Sequence, residues 1–244
     1  MSSSPTTSPI IPWILGGAFA FKNQKNPKSL LAAVDLSRYE KWVYQQRGDS
    51  VGDSPVLLGG RLENLTKTSI HFWCTVWLIM LGYFFNGGEF QYPGSVLASS
   101  LGFFFWSLLE YIIHRFVFHG IWATNLGVAF HFLGHGIHHR YPTDSLRLVM
   151  PLPISLATAF IISHLSHYAL PVALPSNHFV FGVALGYAYY DLSHFLIHHT
   201  NLSIMSDLRE RHKRHHIEHG GNYHVSAVYW DIIFGTTLKT DNTS

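Results

Sequence analysis

Apolar residues gather into four long stretches. Residues 69–85 carry no formal charge, and 95–113 carry only Glu110. Stretches 148–163 and 179–197 follow, the last with Asp191 inside it. A helix crossing a bilayer core needs about 20 apolar residues, within roughly 17–25. The first two stretches meet that length and the last two are marginal. The pattern predicts an all-α integral membrane chain with four transmembrane helices. The earlier apolar run at 10–21 is too short to span, and no Lys or Arg precedes it, which argues against a secretory signal.

Charge placement fixes an orientation. Neither 86–94 nor 164–178 contains Lys or Arg, so all 16 positive residues fall on the opposite side of the four spans. They lie in the N-terminal segment, in 115–147 and in the tail. The positive-inside rule makes that side the cytosol, with both termini there. Residues 1–9 are rich in Ser, Thr and Pro and read as disordered. The stretch 30–46 mixes Tyr39, Trp42 and Tyr44 with charges and suits a segment lying on the membrane face; 48–60 reads as loop. The expected organisation is an N-terminal cytosolic segment over 1–60 and a membrane domain over 61–240.

Composition sharpens the picture. Charged residues are 12% of the 244, about half the roughly 25% of soluble proteins. With 48% hydrophobic residues the chain is not disordered, and a formal charge of +2 is too small to point to nucleic acid. Cys74 is the single cysteine, which excludes a disulfide framework and a cysteine-built metal site. Histidine is the outlier: 18 residues, against 16 Lys and Arg and 14 Asp and Glu.

The histidines fall into boxes. His114 and His119 form HxxxxH at the end of the second span. His135, His138 and His139 form HxxHH in the loop that follows. His194 and His198 form HxxxH at the end of the fourth span, and His212, His215 and His216 form a second HxxHH in the tail. Helical residues three and four apart share a face, so each HxxHH is expected to aim three imidazoles one way. His114 and His119, five apart, align only moderately, which allows a helix end or loop there. All four boxes sit at cytosolic span ends and can converge on a cap.

Ten imidazoles exceed the coordination of one ion and match two ions with about five each. A nitrogen-only set suits Zn, Fe, Cu or Ni. Being neutral, it leaves the pair strongly positive and attractive to anionic oxygen species. Soluble di-iron bundles use Glu and Glu-x-x-His ligands instead, a pattern missing here. His71, His164, His167 and His178 read as packed or solvated residues away from the boxes. His131, His199, His219 and His224, in or beside them, read as structural or as partners that fix a ligand's tautomer.

The boxes in this order resemble the fatty acid hydroxylase superfamily of membrane di-iron oxygenases, and most of all its fatty acid 2-hydroxylase branch. The resemblance is carried by EYIIHRFVFH (110–119), HFLGHGIHHRYPTDSLRLVMP (131–151), GYAYYDLSHFLIHH (186–199), RERHKRHH (209–216) and SAVYWDIIFGT (226–236), with LENLTKT (62–68) before the first span. It covers about residues 60–237. It implies an endoplasmic reticulum enzyme that uses two iron ions (with zinc as the alternative in isolated protein) and O2 to 2-hydroxylate fatty acyl chains, free or in ceramide. The family's ligands correspond to His114, His119, His135, His138, His139, His194, His198, His212, His215 and His216. Tyr141, Asp144, Arg147 and Asp191 match segments that order the site or meet the lipid head, and Asp191 and Glu110 fit the rule that intramembrane charges are functional. No His-Pro-Gly-Gly haem motif and no GxGxxG occurs in the chain, so electrons are expected from cytochrome b5 and an NADH-dependent reductase, with Arg209, Arg211, Lys213 and Arg214 as a patch that either docks the donor or holds lipid phosphates. The run IEHGGNYHV (217–225) departs from relatives and bears on substrate choice. Sterol oxidases, desaturases and carotenoid hydroxylases share histidine boxes but lack the HGxHH…RLVMP run. A metal transporter would instead place ligands along a crossing path near the midplane.

Overall fold

A computed structural model describes residues 9–45, 54–170 and 174–238. The Ser/Thr/Pro-rich start, apart from Pro9, and much of 48–60 therefore lie outside the described residues. In chain order the helices are α1 (Ile10–Leu15), α2 (Leu36–Val43), α3 (Ile70–Asn86), α4 (Gly94–Ile112, continued by a π-helical turn, Ile113–Phe118), α5 (Asn125–His131, continued by a π-helical segment, Phe132–Gly136), α6 (Ile137–Arg140), α7 (Leu152–Ala169), α8 (Ser176–His199), α9 (Ser206–Glu218) and α10 (Tyr229–Ile233). Short 3-10 turns lie at Gly60–Thr66 and Ser203–Met205. The described residues contain no strand, only isolated bridges at Ala20–Val34 and Ala33–Thr124. The fold is all-α.

The chain divides into two compact units. One joins the residues up to Lys67 with His114–Leu148. Its core packs Ile10, Ile14 and Phe19 against Tyr39, Val43, Val128, Phe132 and Ile137. The carboxylate of Asp35 caps α2 by accepting the Arg38 amide at 3.2 Å. Tyr39 and Val43, one turn apart, then point the same way and are both buried. Part of the segment 30–45 is thus built into a core, with Ala32, Val34, Tyr39 and Val43 buried and Leu30 and Leu31 exposed. An i,i+4 apolar pair on one short helix outweighs the charges around it. Beside this core Arg147 pairs with Asp144 at 2.7 Å and also with Glu63, all three buried. This pairing ties 54–67 to 140–148.

The other unit holds α3, α4 and α7–α10. Helices α4 and α8 approach closely through small residues. A Cβ on Gly102 would collide with the Phe179 carbonyl, and one on Gly182 with the Ser99 carbonyl. This is how helices associate where lipid removes the hydrophobic drive between them. Trp73, Trp77, Trp106, Tyr187 and Tyr190 fill the core beside this contact. The outward faces remain apolar: Leu78, Phe104, Phe160 and Leu165 are all exposed. Helices apolar on every side belong in lipid or in a large core. Among the described residues, Gly94–Phe118 is by itself long and apolar enough to cross a membrane, at 25 residues. Helices α3, α7 and α8 coincide with the other three apolar stretches.

Candidate metal centre

Each histidine box is delivered by its own local device. Where α4 ends, the His119 amide donates to the His114 carbonyl at 3.1 Å, an i→i+5 bond. A π-turn widens the helix, and such turns gather at functional sites. Residues five apart then come onto one face, and the two rings stand 5.0 Å apart. His135 sits in the second π-helical segment. Its Nε2 lies 2.9 Å from Nε2 of His114 and 3.0 Å from Nε2 of His139. The His119 ring is 4.9 Å from the rings of both His135 and His139.

A matching foursome forms in the other unit. Nε2 of His212, on α9, lies 3.0 Å from that of His194, at the end of α8, and 2.9 Å from that of His216. The His198 ring stands 4.8 and 5.0 Å from the rings of His212 and His216. The ligand atoms of each foursome lie within 4.8 Å of one another. All eight side chains are buried or nearly so.

The expectation that HxxHH aims three imidazoles one way needs correction. The first and third members pair in each box, while the ring of His138 is 5.6 Å from that of His135 and the ring of His215 is 5.6 Å from that of His212. At about 100° per residue, positions i+3 and i+4 fall on opposite sides of i. His215 donates from Nδ1 to the Gly221 carbonyl at 2.7 Å. A carbonyl only accepts, so this bond sets the tautomer and leaves the Nε2 lone pair for a ligand role.

These residues fit a bound cation. His135 and His212 each face two other Nε2 atoms, and one nitrogen with a single proton or lone pair cannot make two good hydrogen bonds to them. Metal–nitrogen bonds of about 2.1 Å at right angles put neighbouring nitrogens about 3.0 Å apart, which is the spacing found. Burial, reinforced by the neighbouring His216, His194 and His198, holds His212 far below its ordinary pKa. It is therefore neutral, as a metal ligand must be.

The family model for fatty acid hydroxylase matches residues 99–236. The chain belongs to the fatty acid hydroxylase family. It is 33% identical over 218 residues to the ceramide very long chain fatty acid hydroxylase scs7 of Schizosaccharomyces pombe, covering 86% of this chain and 62% of that protein. It is 36% identical to the protein of the same description in Saccharomyces cerevisiae, covering 83% of this chain and 54% of the relative. Against the dihydroceramide fatty acyl 2-hydroxylase FAH1 of Arabidopsis thaliana the identity is 31%, covering 83% and 87%. The chain thus spans little more than half the length of the fungal relatives. A solved structure described as full-length scs7p, with only the hydroxylase domain visible, aligns with a TM-score of 0.77 at 28% identity, covering 98% of this chain and 97% of that one.

Around the histidines, this hydroxylase fold uses polar anchors. Glu110, one turn before His114 and buried, accepts the amides of Val225 and Ser226 at 2.8 and 3.0 Å and the Ser226 hydroxyl at 2.5 Å. Nε2 of His224 stands 3.7 Å from the same carboxylate. Asp191 accepts the Tyr187 hydroxyl at 2.5 Å and the Met150 amide at 3.2 Å. Both carboxylates therefore anchor chain segments that meet the helices. His219 ends α9 in the left-handed conformation, φ 57°, with its amide on the His215 carbonyl at 2.9 Å. His131 meets Tyr39. His199 packs against Phe195 at 4.6 Å. His178 is enclosed by Phe85, Phe90 and Ser95. His164 stacks on Phe160, and Tyr141 lies against Arg140.

Sequence reasoning missed Tyr44 as a site neighbour. Its ring stacks on His119 at 6.3 Å, meets His139 edge-on at 5.3 Å, and its hydroxyl is 3.4 Å from Nδ1 of His119. Nothing in the local pattern marks it, because the contact joins residues 75 positions apart.

Proposed function

We propose that the protein is a di-iron, O2-dependent hydroxylase that oxidises carbon 2 of fatty acyl chains, free or N-linked in ceramide. The observation that carries this is the pair of imidazole foursomes with Nε2 atoms 2.9–3.0 Å apart in a fatty acid hydroxylase chain. The ten histidines His114, His119, His135, His138, His139, His194, His198, His212, His215 and His216 hold two ions, iron in the working enzyme. Iron there supplies the O2 chemistry that a C–H bond without a leaving group or strongly acidic proton demands.

The chain's own contribution is to hold and orient. The π-turn brings His114 and His119 together, the Gly221 carbonyl fixes the His215 tautomer, and Glu110 fastens the segment around Ser226. Four helices, α3, α4, α7 and α8, cross the endoplasmic reticulum membrane. Both termini and the histidine cap are cytosolic, since every Lys and Arg outside the spans falls on that side. Cytochrome b5 and an NADH-dependent reductase supply the electrons in trans.

Lipid mass spectrometry tests this after expression in cells lacking 2-hydroxylated sphingolipids. Wild type should restore 2-hydroxy ceramides. His138→Ala and His215→Ala should lose both product and bound metal, while His164→Ala keeps both. Wild-type product from His138→Ala would falsify the two-ion assignment.

A further inference from the structure

Between α4, α8 and the segment 226–229 lies a cavity of 240 Å³. Phe103 and Trp106 wall it from α4, Gly186 and Tyr189 from α8, and Ser226, Ala227 and Tyr229 from the third side, with Ser107 at the edge. The Ser107 hydroxyl donates to the Phe104 carbonyl at 3.0 Å, and accepts from the Tyr229 hydroxyl at 2.6 Å and from the Trp230 indole at 3.0 Å. The Ser226 hydroxyl is given to Glu110. The hydroxyls of Ser107, Ser226 and Tyr229 are thus committed to one another or to neighbours, and no charged side chain lines the space. The indole N–H of Trp106 is buried without a hydrogen-bond partner, but the rest of the wall beyond the Tyr189 hydroxyl is rings, glycine, alanine and paired hydroxyls. Such a wall favours a hydrocarbon occupant, because a strongly polar one would lose its own hydrogen bonds on entry.

Size and position narrow the occupant. Pockets that enclose a whole small ligand run about 300–1,000 Å³, so this one takes only part of a long lipid. Gly186 precedes His194 by eight residues on α8, about 12 Å along the axis at roughly 1.5 Å per residue. An acyl chain with carbon 2 at the histidines must send its later carbons in some direction, and this cavity lies within reach on a helix that carries ligands.

We propose that this cavity receives the methylene segment of the acyl chain beyond the reacting carbon, and that Phe103 sets which chain lengths fit. The inference rests on the hydroxylase reading above and adds the residue that reads the chain. Phe103 is suited to the role because, among the described residues, its ring pairs with the aromatic rings of Phe104 and Tyr189 alone, at 6.3 and 6.1 Å, and anchors none of the polar contacts. Ala227, from the opposite wall, offers an independent way to fill the same space.

Two measurements test it. First, the 2-hydroxy ceramides made by Phe103→Trp, Phe103→Ala and Ala227→Leu are profiled by chain length. One methylene more or less in an apolar pocket is worth about tenfold or more in selectivity. Phe103→Trp and Ala227→Leu should therefore cut the longest product about tenfold relative to the shortest, and Phe103→Ala should shift the profile the other way. Second, purified protein in nanodiscs is irradiated with a ceramide carrying a diazirine at mid-chain, a binding readout independent of turnover. Labelled peptides should contain Phe103–Ser107 or Gly186–Tyr189, and Ala227→Leu should reduce that labelling severalfold. Unchanged chain-length profiles in folded variants, or mid-chain labelling that avoids both peptides, would overturn the proposal while leaving the hydroxylase intact. Labelling at Phe103 in a protein that forms no 2-hydroxy lipid would support the cavity and sink the proposed reaction.

Discussion

The hydroxyl of Tyr39 lies 2.7 Å from Nδ1 of His131, and neither side chain reaches solvent. The same hydroxyl is 3.1 Å from the Val128 carbonyl, so one phenol joins α2 to α5. Burial pushes the His131 pKa down from 6.5 to about 4. The folded protein therefore keeps this ring neutral, while the unfolded chain protonates it below about pH 6.5. Its contribution to stability is complete above that pH and lost progressively as pH falls toward 4, on the order of 3 kcal/mol at about 1.4 kcal/mol per unit. Melting curves between pH 7 and pH 4 should be steeper for wild type than for His131→Gln. Parallel curves would show that this ring does not drive the acid sensitivity. Tyr39→Phe should cost about 1–2 kcal/mol at neutral pH by leaving a buried acceptor or donor unmet.

Glu110 supports a second prediction. Removing its carboxylate strands the amides of Val225 and Ser226, at about 1–3 kcal/mol for each buried donor left unsatisfied. Glu110→Gln keeps one acceptor oxygen and should lose less. Thermal unfolding in detergent should rank wild type above Glu110→Gln and Glu110→Gln above Glu110→Ala. If Glu110→Ala melts with wild type, the staple to Ser226 contributes nothing.

Much of the candidate site was legible from spacing alone, because histidines four apart on a helix must share a face: His135 with His139, His194 with His198, His212 with His216. The HxxxxH box was legible only in part. Its five-residue interval looks misaligned on an α-helix, and the π-turn that aligns His114 with His119 is a local choice that no periodicity argument anticipates. The fold was legible where apolar runs were long, as in α3 and α4. It was not legible in 9–45, where the burial of Ile10, Phe19 and Tyr39 depends on partners such as Val128 and Phe132 about a hundred positions away. The pairing of Asp144 and Arg147 with Glu63 was illegible for a related reason, because Glu63 lies about 80 positions away in the chain.

The proposed four-span arrangement makes a compartment prediction. A glycosylation acceptor inserted after Pro175, ahead of α8, should be modified, placing it in the lumen. A protease tag after Ser244 in intact microsomes should be cut from the cytosolic side. Both tags reporting one compartment would mean that α8 does not cross the membrane and would sink the topology.

The electron donor's landing site gives the last prediction, and the four basic residues around the tail box are not equivalent. Arg211 stands 3.6 Å from Asp231, whose buried carboxylate also accepts the amides of Tyr223 and His224 and the hydroxyl of Thr236. Burial pushes the Asp231 pKa up, against those hydrogen bonds and Arg211. Reversing Arg211 to Glu would set two like charges together beside this carboxylate. Breaking a largely buried pair costs up to about 3–5 kcal/mol, so Arg211→Glu should lower stability, metal content and turnover together at any salt concentration. Arg214 is engaged with Glu210 at 3.4 Å along the helix surface. Arg209 donates to the Leu202 carbonyl, at 3.0 Å on the exposed side, and Lys213 is exposed on α9. These two are the residues that can meet an acidic partner without disturbing the fold. The double reversal of Arg209 and Lys213 to Glu should keep metal content and melting temperature and slow turnover supported by added cytochrome b5. That loss should fade with salt, as the screening length shrinks from about 10 Å at 0.1 M to about 3 Å at 1 M. Unchanged turnover in the double variant at low salt would move the docking surface elsewhere. An Arg211→Glu protein with wild-type melting and the same salt-dependent loss would show that Arg211 docks the donor rather than holding Asp231.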